Sequence, residues 1–169
     1  MIAGERVVLR ERRPSDAAFA AAWFADPDAM RWTLRTYPAG PDAYDVPGEP
    51  LAWGTVPLTV VADGRPIGHA GLGDMSAENR RALAWLTIGD AAYRGRGYGE
   101  DTLRTLCRYA FDTVNLAKVE LEVVVDNAPA VALYERLGFV VEVHRRRAVW
   151  VEGAWRDEYL MGLFPGELR

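Results

Sequence analysis

The chain has 169 residues, of which 50% are apolar and 26% charged, so it is long enough for one domain with a real core. A net charge of −4 argues against general nucleic-acid binding, and one cysteine (Cys107) with two histidines (His69, His144) excludes a disulfide framework and leaves too few ligands for a zinc or iron site. No run approaches the ~20 apolar residues of a membrane span, and no basic-then-apolar signal segment opens the chain, which therefore reads as cytoplasmic with no membrane partner.

In chain order, ERVVLR at 5–10 predicts a first strand. PSDAAFAAAWFADPDAM predicts a helix, capped by Ser15 or Asp16, with Phe19, Trp23 and Phe24 on one side. The stretch 38–50 is dense in Pro, Gly and Asp and reads as a loop. TVPLTVVA and PIGHAGLGDM flank Asp63-Gly64 as a strand pair, and RALAWLTIG gives a third strand after Glu78-Asn79-Arg80. The turn YRGRGYG then feeds the helix EDTLRTLCRYAFDTV. KVELEVVV has the β-branched, mostly apolar character of a buried central strand. DNAPAVALYERLGF is almost a complete helix specification: Asn127 can cap, Pro129 suits the first turn, and Gly138 stands where a left-handed C-terminal residue would. The tail forms two strands around Glu152-Gly153, a hairpin signal. The order predicts one mixed α/β (α+β) domain over 1–169, built on a largely antiparallel sheet.

Glycine is costly inside regular structure and useful where backbone must approach something closely. In Arg94-Gly95-Arg96-Gly97-Tyr98-Gly99 the glycines free the first amides of the following helix to curl around an anion, and the arginines add charge suited to phosphate oxygens. A phosphate or pyrophosphate is the natural guest. The dinucleotide pattern G-x-G-x-x-G fails, because Gly95 and Gly97 are followed by Glu100, and Gly97 and Gly99 by Thr102. A nucleotide P-loop fails for want of a lysine. A flexible turn with incidental arginines would explain the loop alone. Asn127 and Tyr134 stand two helical turns apart and project to one side of their helix, at the end of a strand where α/β sheets open a binding crevice. A capping asparagine and a core tyrosine would explain that pair alone.

Taken together, the arginine–glycine turn and the downstream Asn127…Tyr134…Gly138-Phe139 run resemble the GNAT superfamily of acyl-CoA-dependent N-acetyltransferases. GERVVLRERRPSDAAFAAAWFADPD and VWVEGAWRDEYLMGLF are similar to the branch with ribosomal-protein N-terminal and spermidine acetyltransferases. The resemblance implies a central sheet of about six or seven strands with helices on both faces, splayed between the strands near 83–89 and 118–125. It implies acetyl-CoA as co-substrate, its pyrophosphate on residues 94–99 and its pantetheine arm along Leu86, Thr87 and Ile88. It places Asn127 beside the pantetheine and Tyr134 near the sulfur, as general acid. No metal is implied, and transfer is direct to an amine, either a protein N-terminus or a small cationic amine.

The strand before the glycine turn lacks the glutamate that many relatives carry early in it, so Glu78, Asp90, Glu122 or water is left as the base. Cys107 sits among Leu103, Leu106 and Ala110 and reads as a core residue rather than an acetyl carrier. His69 and His144 read as structural or solvated. Trp23, Trp32, Tyr37, Tyr44 and Trp53, interleaved with Asp26, Asp28, Asp42, Asp45 and Glu49, suit a cationic acceptor. The tail residues Trp150, Trp155, Tyr159 and Met161 offer an apolar surface for a homodimer. A non-catalytic acyl-CoA sensor and an unrelated phosphate-ligand protein are the competing readings.

Overall fold

The computed structural model describes residues 1–32 and 54–169. The stretch 38–50, with Tyr37, Tyr44, Trp53, Asp42, Asp45 and Glu49, lies outside the described residues.

The described residues form β1 (Ile2–Ala3), β2 (Val8–Glu11), α1 (Ala17–Phe24), α2 (Pro27–Met30), β3 (Val56–Ala62), β4 (Arg65–Ser76), β5 (Arg81–Ile88), α3 (Tyr98–Arg108), β6 (Lys118–Val124), α4 (Ala128–Leu137), β7 (Val140–Val151) and β8 (Ala154–Leu163). The strands make one sheet in the order β1-β2-β3-β4-β5-β6-β8-β7. Every neighbouring pair is antiparallel except β5 and β6. That sheet has eight strands where about six or seven were expected; β1, two residues long, is too short to show periodicity.

The parallel pair positions the site. β5 and β6 pair only from Arg81↔Lys118 to Leu83↔Glu120 and then part, since β5 stays on β4 while β6 stays on β8 as far as Val124↔Glu158. The expected splay is there. The main core of Leu9, Val60, Leu72, Leu103, Leu106, Val119, Leu137 and Met161 joins the sheet to α3 and α4. Ala20 and Trp23 of α1 form a separate cluster with Phe19 and Phe24, so helices cover both faces.

Local chemistry explains the boundaries. Asp63-Gly64 and Glu152-Gly153 all have positive φ, as two-residue hairpin turns require. Gly138 ends α4 at φ 103°, and a Cβ there would meet the Glu167 carbonyl oxygen at 2.1 Å. Three expectations need correction. The strand expected over 5–10 is β2 and begins at Val8 rather than Glu5, because Asp101 takes the amides of residues 5–7. The first helix breaks at Asp26-Pro27, where proline opens a new helix with Asp26 as its cap. Asp16 does not cap; its buried carboxylate turns to Arg10, the Thr59 hydroxyl and the Arg13 amide. Burial works to raise its pKa, but the bonds from Arg10, Thr59 and Arg13 outweigh it and hold the carboxyl below its usual range. Met161 is fully buried, so of the tail residues only Trp150 and Trp155 are largely exposed, stacked edge to face at 5.3 Å.

Candidate active site

Where β5 and β6 part, a cleft of about 1050 Å³ opens. Its walls are Leu83 to Ile88 of β5, Glu122 to Val124 of β6, and Asn127, Leu133 and Tyr134 at the start and middle of α4; Gly95, Gly97 and Gly99 stand at one end. Beyond Leu83 the edge of β5 that faces β6 has no strand partner among the described residues, so its peptide groups border the cleft. A smaller hollow of about 490 Å³ between Gly54, Met75, Arg80 and Leu116 lies at the opposite end of β5 and holds none of these groups.

The glycine turn exposes backbone amides at the start of α3. Tyr93 and Arg94 donate their amides within the turn, and the next backbone donor is Asp101, to the Gly97 carbonyl. The amides from Gly95 to Glu100 have no acceptor among the described residues, at the positive end of α3. Gly95 and Gly97 have φ of 68° and 86°, conformations that side chains resist. Gly99 is close to β5 instead: a Cβ there would lie 3.7 Å from Leu86 and Ile88.

The arginine side chains of the turn bond to the backbone around it and to Asp26. Arg94 donates Nε to the Ile88 carbonyl at 2.9 Å, and Nη2 to the Gly89 carbonyl at 2.5 Å and to Asp26 Oδ2 at 2.6 Å. Arg96 donates Nη1 to the Ala92 carbonyl. Both guanidinium groups therefore hold the turn. The sequence also gave no sign of the brace beneath it. Asp101, on the first turn of α3, resembles any acid at a helix start, yet its carboxylate accepts the amides of Glu5, Arg6 and Val7 at 2.7 to 3.1 Å. Only the fold brings residues so far apart in sequence together.

Asn127 and Tyr134 both face the cleft. Asn127 stands at the N-cap of α4 without making a side-chain cap bond, which frees its amide. Tyr134 is half-buried, 6.0 Å ring to ring from Phe139, and its hydroxyl has no partner among the described residues. Burial pushes its pKa up to about 12, so the phenol keeps its proton at neutral pH. It is a donor on a residue that lines the cleft.

The three acids considered as base separate clearly. Glu78 is exposed on the β4–β5 turn, accepting from Ser76, and Asp90 caps Ala92 and pairs with Arg65. Glu122 lines the cleft. It shares Arg145 with the buried Glu158, whose pKa is raised by burial and by Glu122 against the pull of Arg145. His69 also lines the cleft, 6.5 Å from the Trp23 ring and 6.0 Å from the Phe24 ring. His144 pairs with Asp157 at 2.8 Å, away from it. Of the acceptor-side residues, Asp28 and Trp32 reach the cleft, while Asp26 is taken by Arg94. Cys107 is fully buried, and burial pushes its thiol up to about 12. Among the described residues no cluster of three metal-ligating side chains occurs, and no helix is long and apolar enough to cross a membrane.

A family model described as acetyltransferase (GNAT) domain matches residues 6–140. The chain is 35% identical over 65 residues to a spermidine N(1)-acetyltransferase of Vibrio cholerae, covering 38% of each chain. It is 40% identical over 105 residues to the N-alpha-acetyltransferase RimI of Mycobacterium tuberculosis, covering 62% of this chain and 63% of that one. Both matches thus span less than two thirds of the relative's own length. In structure it is similar to the spermidine N-acetyltransferase of Vibrio cholerae solved with CoA and spermine, with a TM-score of 0.85 at 22% identity over 96% of this chain and 97% of that one. At that identity the likeness shows the fold.

Proposed function

Because the chain belongs to the acetyltransferase (GNAT) domain family, we propose that it moves the acetyl group of acetyl-CoA directly to a primary amine. The acceptor is a protein N-terminus or a small cationic amine, the two acceptor types that the names of its relatives indicate. The observation that carries this reading is the neutral, unpartnered Tyr134 hydroxyl in a cleft that ends at the open amides of residues 95–100.

The residues fit the co-substrate. Bare amides and the positive end of α3 suit a pyrophosphate, with Gly95, Gly97 and Gly99 giving it room beside Arg94, Arg96 and Tyr98. The unpaired edge of β5 at Leu86, Thr87 and Ile88 suits an amide-bearing arm, with the free Asn127 side chain across the cleft.

The chemistry needs a neutral amine, a stabilised oxyanion and a proton for the departing thiolate. Holding both reactants in one cleft removes several kcal/mol of entropic barrier. A β5 amide between Leu86 and Ile88 serves the oxyanion, a role worth about 3 kcal/mol. Glu122 takes the proton from the amine, directly or through water, and Arg145 holds its carboxylate in place. Tyr134 gives its proton to the thiolate. Cys107 takes no part, being buried and held as the thiol. The exposed Val140 and Val143 of the edge strand β7, with Trp150 and Trp155, support pairing of two copies.

Calorimetric titration with acetyl-CoA, with ATP and NAD as controls, tests the reading, followed by thiol release over a panel of amines. Micromolar, acetyl-CoA-selective binding with amine-dependent thiol release is the expected result. No binding would remove the premise, and binding without thiol release from any amine would leave an acyl-CoA-holding module.

A further inference from the structure

The Arg94 side chain makes three bonds that lead in two directions. Nε and Nη2 hold the Ile88 and Gly89 carbonyls, at the end of the strand that borders the cleft. Nη2 also reaches Asp26 Oδ2, in the junction between α1 and α2. Both oxygens of Asp26 are engaged, since Oδ1 accepts the Asp28 amide that begins α2. The Arg94 bond holds the Asp26 carboxyl below its usual range. Next to this link, Trp23 of α1 sits so close to Gly89 that a Cβ there would fall 2.2 Å from its ring. From the same junction Phe24, Asp28, Ala29 and Trp32 enter the cleft wall.

Resting on the acetyltransferase reading, we propose that Arg94 and Asp26 are a positioning pair, not ligands: they join the anion-binding turn and the end of β5 to the wall that receives the amine. Co-substrate on the turn then fixes the place of α1 and α2, and with them the amine relative to the thioester. Arg94 has its forked face committed to two carbonyls and a carboxylate, which leaves the phosphate to the backbone amides. Asp26, neutralised by Arg94, recognises no cation itself.

The test uses the full chain, Asp26→Asn and Arg94→Gln, with acetyl-CoA, S-acetylpantetheine (which lacks the phosphates) and CoA as probes. Asp26→Asn is expected to raise the amine KM about tenfold, a coupling of ordinary allosteric size, while acetyl-CoA affinity stays within about twofold. Any strengthening of amine binding by CoA, read by calorimetry in wild type, is expected to vanish in Asp26→Asn. Arg94→Gln is expected to weaken acetyl-CoA and S-acetylpantetheine alike, because it loosens the end of β5. An unchanged amine KM in Asp26→Asn overturns the pairing role. So does an Arg94→Gln loss confined to acetyl-CoA, which would make Arg94 a phosphate ligand. Wild-type protein that binds no acetyl-CoA overturns the underlying reading, and the proposal with it.

Discussion

The Asp101 carboxylate accepts the Arg6 amide at 2.7 Å, and the Arg6 guanidinium lies 4.3 Å above the Tyr98 ring while donating to the Arg96 carbonyl. One segment near the start of the chain is thereby clamped to the first turn of α3, and that turn carries the open amides. A Cβ at Gly97 would lie 2.9 Å from Arg6 Nη1, so the guanidinium fills the space under the turn. The brace ties the turn and its open amides to the start of the chain.

Removing the Arg6 side chain leaves its backbone amide on Asp101 and takes away only the stacking and the carbonyl bond. Arg6→Ala should therefore weaken acetyl-CoA binding about fivefold, roughly 1 kcal/mol, with little change in Tm. Asp101→Ala strands three amides at once and should cost about 2–4 kcal/mol of stability. Calorimetry and thermal unfolding on both variants separate the two effects; an Arg6→Ala protein with wild-type affinity would remove the brace from the binding argument.

Tyr134→Phe keeps the ring against Phe139 and deletes only the hydroxyl. It should lower kcat by about 10²–10⁴-fold while acetyl-CoA affinity stays unchanged. With the phenol pushed up to about 12, the wild-type rate should show no loss of this proton donor up to about pH 11. Unchanged turnover in the variant would discard the role.

Glu122→Gln keeps the size of the side chain and leaves Arg145 with Glu158 as its remaining acid. As the proposed base that lines the cleft, Glu122 should account for about 10²-fold in kcat/KM. Stability should move little, because an exposed ion pair contributes about 0–1 kcal/mol. A full rate in Glu122→Gln would assign the amine's proton to water.

Much of this was legible in the sequence because its signals are local. Asp63-Gly64, Glu152-Gly153 and Gly138 each announce a turn or a helix end through their own backbone preference, and all three behave as expected. The glycines before α3 announce their left-handed backbone in the same way, at Gly95 and Gly97. What could not be read was which partners long side chains take across the fold. Arg94 and Arg96 look like phosphate ligands in a linear string, yet their guanidinium groups turn back onto carbonyls that the string does not place. Asp16 passes for a cap until β3 brings Thr59 beside it. That Glu122 lines the cleft while Glu78 and Asp90 do not is visible only once β5 and β6 have parted.

The same burial that silences Cys107 chemically should appear in alkaline stability. In the folded chain its thiol holds the proton up to about 12, whereas the unfolded chain releases it from the ordinary value of 9.0. The folded state thus binds more protons above pH 9, so stability is fully present below that pH and falls as pH rises toward 12. The slope is about 1.4 kcal/mol per pH unit while the two states differ by a whole proton. Tyr134 adds a second loss of the same sign, beginning at its ordinary 10.0. Between pH 9 and 10 the cysteine should therefore dominate this pair of groups. Cys107→Ala is expected to be less stable at pH 7, by the roughly 1 kcal/mol of a small lost side chain in a packed core, but nearly flat between pH 9 and 10. Denaturant unfolding of both proteins at pH 7, 9 and 10 measures this: converging stabilities support a buried thiol, and parallel losses would place Cys107 within reach of solvent.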